Sequence, residues 1–121
     1  MTPRAGLQHS PPPTNAAVVD RVFRALSDPT RRNVLERLSL RPASASELAA
    51  PYDMALPSFA QHLRVLEECG LIASEKRGRS RWCRLVKARF DEAANWMEAE
   101  RRNWAMRLER LEVYLDTTDE G

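Results

Sequence analysis

Apolar residues between positions 16 and 40 are spaced as on one face of a helix, in two separate runs. The first run begins near Ala16 and stops at Ser27-Asp28-Pro29. Asp28 can cap the next helix, and the proline can take its first position, where a missing amide costs nothing. The pattern therefore predicts one helix ending before this triplet and a second over 30–40.

Two shorter helices with a tight connection are predicted next. Ser44-Ala45-Ser46-Glu47 has the form of a capping box, and the helix that it opens is ended by Pro51 within two turns. A further helix over 57–69 has an apolar stripe, and Gly70 can close it in the left-handed conformation. This arrangement is typical of a helix-turn-helix, in which the second helix enters the DNA major groove.

The remaining segments predict a hairpin and a long helix. Two β-prone segments, 72–77 and 81–86, flank a Gly78-Arg79-Ser80 turn, and a helix without glycine or proline extends from 90 to about 115. The expected fold class is mainly α with a small β-hairpin wing, a winged helix-turn-helix. A length of 121 residues fits one domain, expected over 16–116 between a disordered tail, 1–15, and a flexible C-terminus, 117–121.

The long helix carries an apolar seam spaced 4, 3, 4, 3, 4, 3, 4, as in a coiled coil with one charged member. Its members are Phe90, Ala94, Met97, Arg101, Trp104, Leu108, Leu111 and Leu115. Phe90 and Ala94 are expected to pack on the chain's own core, and a second copy is expected to cover the rest. The predicted homodimer interface joins the first and last helices through Val19, Val22, Phe23, Met97, Arg101, Trp104, Leu108, Leu111 and Leu115.

Charge is distributed unevenly, although the net charge is only +2. Between Glu75 and Arg89, seven basic side chains accompany one acid: Lys76, Arg77, Arg79, Arg81, Arg84, Lys87 and Arg89. Clustered cations of this kind are the electrostatic signature of phosphate binding. By itself a basic hairpin can equally be a solvated surface, so the helix that precedes it decides the interpretation.

The outward face of the helix over 57–69 has side chains able to read base edges. Glutamine pairs with adenine, arginine with guanine, and serine with base or phosphate. The predicted base-reading residues are Ser58, Gln61, His62 and Arg64, and the predicted phosphate contacts are Arg31, Lys76, Arg77, Arg79 and Arg81. A polar helix followed within ten residues by a basic hairpin favours double-stranded operator DNA as the partner.

Other function classes lack support in the sequence. No nucleophile or acid–base pair marks a catalytic site, so no enzyme activity is expected. No apolar run approaches a membrane span, and the proline-containing N-terminus lacks the apolar core of a signal peptide, so a cytoplasmic protein is expected. Two cysteines, Cys69 and Cys83, are too few for a disulfide framework. Buried thiols are favoured over a redox switch.

Three segments resemble the ArsR/SmtB family of winged-helix repressors. They are Phe23-Arg24-Ala25-Leu26-Ser27-Asp28-Pro29-Thr30-Arg31-Arg32, Glu47-Leu48-Ala49 and Gln61-His62-Leu63-Arg64-Val65-Leu66-Glu67-Glu68-Cys69-Gly70-Leu71-Ile72. The resemblance spans about 18–86 and implies a dimer joined through its first and last helices. It also implies operator binding relieved by a signal, with DNA contacts on the helix containing Gln61 and on the wing.

The sequence departs from the metal-sensing members of that family. The segment Glu47-Leu48-Ala49-Ala50-Pro51 has no Cys-x-Cys motif, and the last helix has no histidine, so neither a metal site nor a cofactor is expected. Met54-Ala55-Leu56-Pro57-Ser58-Phe59 resembles a metal-free branch. An unidentified small-molecule inducer is then expected. A metal- or thiol-responsive repressor and a helix-mediated protein-interaction module remain the alternatives.

Overall fold

The computed structural model describes residues 13–120 of the chain, which form five helices and a small antiparallel sheet. In chain order the elements are α1 (Pro13–Leu26), α2 (Pro29–Leu38), β1 (Ala43–Ser44), α3 (Ala45–Ala49), α4 (Leu56–Glu68), β2 (Ile72–Arg77), β3 (Ser80–Leu85) and α5 (Lys87–Glu120). The predicted winged helix-turn-helix is confirmed. None of the described helices combines the length and apolar character that crossing a membrane requires.

Local capping signals position the helices of the DNA-binding half. The Asp28 carboxylate accepts a hydrogen bond from the Arg31 amide at 3.0 Å, with Pro29 in the first turn of α2. The capping box of α3 is complete, since the Glu47 amide donates to Ser44 Oγ at 3.1 Å and the Ser44 amide donates to Glu47 Oε1 at 2.9 Å. Both predicted helix starts are therefore confirmed.

A glycine in the left-handed conformation, Gly70, follows the end of α4. Gly70 has φ +85°, its amide donates to the Glu67 carbonyl at 3.0 Å, and the Leu71 amide donates to the Leu66 carbonyl at 3.1 Å. This pair of bonds is the Schellman motif. It directs the fully buried Leu71 back against α4 and sends the chain into the wing.

The sheet has the strand order β1-β3-β2. The hairpin β2–β3 is closed by a two-residue loop, Gly78-Arg79, in which Gly78 has φ +62°. Ser80, expected in the turn, is the first residue of β3. The strand β1, which the sequence pattern did not predict, pairs Ala43 with Cys83 and Ser44 with Trp82. Two residues are too few for periodicity to predict a strand.

The core lies between the helices and one face of the sheet. Its members come from every element: Val22, Ala25, Val34, Leu35, Leu38, Ala43, Leu48, Phe59, Leu66, Cys69, Leu71, Ile72, Cys83 and Ala93. The apolar residues Val34, Leu35 and Leu38 of α2 are among them, as are Phe59 and Leu66 of the α4 stripe, whereas Leu63 of that stripe is only half-buried. This core holds α4 and the wing as one unit.

Some predicted boundaries differ from the structure. Helix α1 begins at Pro13 rather than near Ala16, and α2 ends at Leu38 rather than Leu40. Helix α5 begins three residues before Phe90 and continues to Glu120, because nothing in its sequence interrupts it and a Lys87–Asp91 ion pair of 2.7 Å supports its first turn. Residues 1–12 of the predicted tail lie outside the described residues, and the predicted division into domain and tails stays a prediction.

The structure corrects the predicted surroundings of three residues, Val19, Val22 and Ala94. Val19 and Val22, expected at the dimer interface, are buried within one chain and have no surface left for a partner. They face the core because α1 packs its apolar stripe against α2, α4 and α5. Ala94 is exposed, and its neighbour Ala93 is buried instead, whereas Phe90 packs against the core as expected.

Candidate nucleic-acid interface

Helix α4 presents a polar surface on the side away from the core. Ser58, Gln61 and Arg64 are all exposed, and the Arg64 guanidinium donates to the Gln61 side-chain oxygen. The opposite side is anchored by Phe59 and Leu66, which are buried. Three of the four predicted base-reading residues therefore lie together on an accessible helix face, within reach of one another.

His62 does not join that face. Its ring is half-buried, and its Nδ1 atom lies 3.7 Å from Asp28 Oδ2 and 3.0 Å from the Arg31 Nη1 atom. One helical position beyond Gln61 is about 100° around the helix, which turns His62 toward the start of α2. The structure thus corrects the prediction: His62 connects α4 to the junction between α1 and α2.

Arg31 is likewise directed inward. Its Nε atom donates to the Ala25 carbonyl at 2.8 Å, and its Nη2 atom donates to the Arg24 carbonyl at 3.1 Å. These carbonyls belong to the last turn of α1, where helical partners run out. The third nitrogen of the guanidinium, Nη1, contacts His62, so each of its three nitrogens has a partner within the chain. Arg31 is therefore better described as a positioning residue than as the predicted phosphate contact.

The Asp28 carboxylate completes this polar junction. Burial raises the pKa of Asp28, but the Arg31 amide and the nearby His62 and Arg31 side chains outweigh it, so the pKa is lowered on balance. The ionised carboxylate is thus favoured in the folded chain. No short-range sequence pattern could have revealed this junction, since Arg31 and His62 are 31 residues apart.

The strand register divides the cations of the wing between its two faces. Lys76 lies directly opposite Arg81, and Arg77 lies directly opposite Ser80 on the other face. Arg79 is in the hairpin loop. All four cations are exposed.

Arg77 differs from the other wing cations in its contacts. Its Nε atom is 3.1 Å from Glu75 Oε2, and its guanidinium lies 5.5 Å from the centre of the Trp82 ring. No sequence pattern predicts a role for Trp82. The alternation of Glu75 and Arg77 on one strand face was the only signal of their pairing.

One hydrogen bond connects the wing to α4. Ser74 Oγ donates to Glu67 Oε2 at 2.9 Å. Ser74 and Lys76 are two residues apart in β2 and so share a face of the strand, and Glu67 lies one helical turn beyond Arg64. The wing face that carries Lys76 and Arg81 is therefore the face that borders α4.

The two cysteines lie in the core, as expected. Cys69 Sγ donates to the Leu66 carbonyl at 3.3 Å, and burial raises the pKa of both thiols. Thiols held protonated and out of solvent are poor nucleophiles. Within residues 13–120, no group of three or more histidine, cysteine, aspartate or glutamate side chains is arranged to hold a metal ion.

The C-terminal half of α5 stands clear of the core. Residues 101–118 are exposed throughout, and five of the predicted seam residues expose about half of their surface: Met97, Trp104, Leu108, Leu111 and Leu115. Nearer the core, Phe23 packs edge-to-face on Trp96 with ring centres 5.8 Å apart. The exposed apolar seam is a second surface of this chain, separate from the helix-turn-helix.

A partly exposed recognition-type helix beside a cationic hairpin defines a winged helix-turn-helix protein, and the comparisons with known proteins narrow this class. A family model described as a helix-turn-helix domain matches residues 26–75. The transcriptional repressor SdpR of Bacillus subtilis (strain 168) is 30% identical over 79 residues, which are 65% of this chain and 88% of the relative.

Two solved structures agree in fold and sequence. A crystal structure of an ArsR family transcriptional regulator has 46% identity and a TM-score of 0.71, and the match covers 74% of this chain and 93% of that chain. An ArsR-like transcriptional regulator from Rhodococcus sp. RHA1 has 35% identity and a TM-score of 0.70, covering 81% and 92%. The chain belongs to the ArsR family of transcriptional regulators. These relatives are regulators and not enzymes, as expected for this chain.

Proposed function

We propose that the protein is a homodimeric repressor that binds an inverted-repeat operator and is released from it by an unidentified signal. The observation that carries the proposal is the position of the polar face of α4 beside the Lys76–Arg81 face of the wing, joined by the Ser74–Glu67 hydrogen bond. A helix with base-reading side chains and an adjacent cationic hairpin can engage a groove and its flanking phosphates together. Repression is the activity named for the Bacillus relative.

The proposed roles divide between the two elements. Ser58, Gln61 and Arg64 read base edges, because they are exposed on one side of α4. Lys76, Arg79 and Arg81 contact phosphates. Arg77 contributes less, because Glu75 already neutralises its charge. His62 and Arg31 act indirectly by fixing α4 against the end of α1.

The proposed dimer pairs the exposed seams of two α5 helices. A 34-residue helix is about 50 Å long, and its last 18 described side chains reach beyond the core of one chain. An apolar seam of this length in water favours association with an equal seam. Phe23 and Trp96, both partly exposed, extend the apolar surface toward α1. Two copies would present two recognition helices to one operator, about 34 Å apart.

The release signal is proposed to be neither a metal ion nor thiol oxidation. Both cysteines are buried with raised pKa values, and no metal-binding group is found among residues 13–120. We therefore favour an organic ligand as the signal.

The division of roles is tested by two variants on the same DNA. Gln61→Ala should cost about 1–3 kcal/mol on the preferred sequence and relax selectivity at one base position. Arg79→Ala should weaken binding to all sequences alike and flatten the slope of log affinity against log salt by about one unit. Arg110→Ala, an exposed change on α5, is the matched control. Fluorescence anisotropy across a salt series measures both effects, and equal losses with equal slopes for Gln61→Ala and Arg79→Ala would contradict the proposal.

A further inference from the structure

The wing has a groove on the face turned away from Lys76 and Arg81. It encloses about 360 Å³ between the loop before β1 and the outer face of the hairpin, and its principal lining side chains are Arg41, Pro42, Glu75, Arg77, Trp82 and Arg84. Glu75 and Trp82 lie directly opposite each other in the sheet, so the half-buried indole is in the middle of this face. A volume of this size accommodates a small organic molecule.

The charges around the groove are unbalanced. Three guanidinium groups surround it against one carboxylate, and that carboxylate is already paired with Arg77 at 3.1 Å. Arg41 and Arg84 are exposed, and neither makes an ion pair within residues 13–120. Two cations without a counter-charge therefore flank an aromatic ring.

We propose that this groove binds a flat aromatic carboxylate. The ring of such a ligand would stack on the Trp82 indole, in the region where the Arg77 guanidinium now lies 5.5 Å from the ring centre. Its carboxylate would be held by Arg84 and Arg41, since guanidinium groups bind carboxylates through paired hydrogen bonds. Both the aromatic ring and the negative charge of the ligand are required by this arrangement.

Occupancy of the groove would act on DNA binding through charge, and this consequence rests on the proposed function. The anion lies within the same hairpin as the phosphate-binding cations and lowers the positive potential of the wing. The logarithm of DNA affinity changes with the logarithm of salt concentration by about 0.9 for each phosphate contact. If the bound anion cancels the equivalent of one such contact, DNA affinity at about 0.1 M salt falls about eightfold. An aromatic carboxylate would therefore release the repressor.

The binding site is tested by nuclear magnetic resonance on the full chain without DNA, with 2-naphthoate as the probe. The chain has three tryptophans and hence three indole N–H signals, from Trp82, Trp96 and Trp104. The signal that disappears in the Trp82→Phe variant is the one from Trp82. The proposal predicts a saturable shift of the Trp82 signal alone, with a dissociation constant of about 1 mM or lower. The neutral analogue 2-naphthamide should bind about tenfold more weakly.

Matched variants assign the charge effect to the groove. Arg84→Ala should weaken 2-naphthoate binding about tenfold, whereas Arg110→Ala, equally exposed on α5, should leave it unchanged. Equal binding of the amide, equal shifts of all three indole signals, or no saturable shift would each overturn the proposal. Since the titration contains no DNA, its result is independent of the proposed operator binding.

Discussion

The proposed dimer makes a quantitative prediction about two leucines of α5. Leu108 and Leu111 expose 56% and 49% of their surface in the single chain and lie next to each other on the seam. Full burial of a leucine is worth about 1.5–3 kcal/mol, so covering the exposed half contributes about 1 kcal/mol for each side chain. The double variant Leu108→Ala/Leu111→Ala alters four side chains of a dimer. Allowing for the carbon atom that alanine retains, it should weaken association by about 3 kcal/mol, or about 100-fold in the dissociation constant.

Sedimentation equilibrium over a range of protein concentrations measures this shift directly. The matched control is Met106→Ala/Val113→Ala, which removes side chains of similar exposure, 59% and 63%, from a part of α5 off the seam. Far-ultraviolet circular dichroism should show the helix content of both variants at high concentration unchanged, because exposed positions contribute little to the fold of one chain. Equal dissociation constants for the two double variants would refute the assignment of the seam.

Two further predictions concern the folded chain. Asp28→Asn keeps a capping side chain but removes the charge beside His62 and Arg31. The pKa of Asp28 is lowered in the folded chain, so the stability that this carboxylate contributes is fully present above its ordinary pKa. That stability is lost as the pH falls through the lowered pKa. Urea unfolding should therefore show a gap between wild type and variant near neutral pH that closes in acid, and a gap independent of pH would contradict the electrostatic explanation. Gly70→Ala and Gly78→Ala should each cost about 1–2 kcal/mol, because both glycines have positive φ. At Gly70 the new Cβ would also lie 2.5 Å from Arg89 Nε, so the Arg89 side chain must move away from its 3.0 Å ion pair with Glu92, which adds a small further loss. Equal losses in the urea midpoint at matched protein concentration would show that Arg89 yields without cost.

Local chemistry made most of the fold predictable. The helix starts at Asp28 and Ser44 and the reversal at Gly70 depend on hydrogen bonds between residues three to five apart, so their signals are contained in short segments of sequence. The hairpin could be predicted for the same reason, from a glycine between two β-prone segments. The ends of helices were harder to predict. Helix α5 extends past its predicted end near Leu115, because no residue there interrupts it.

The candidate site was predictable in type but not in detail. Periodicity places Gln61 and His62 on the same polar half of α4, and only the packing of α4 against the α1–α2 junction separates them. The strand register, which a one-residue shift would reverse, decides that Lys76 and Arg81 share a face and that Arg77 lies with Trp82. Contacts across tens of residues of sequence determine such features, and no pattern in one sequence contains them.

The most direct test of the account is the binding of the purified protein to the DNA upstream of its own coding sequence. Fluorescence anisotropy across a salt series, with and without zinc and reductant, would compare this duplex with a scrambled one of equal length. The account predicts tight, salt-dependent binding of one dimer that prefers the upstream duplex and is unchanged by zinc or reductant. Equal affinity for both duplexes under all of these conditions would contradict it.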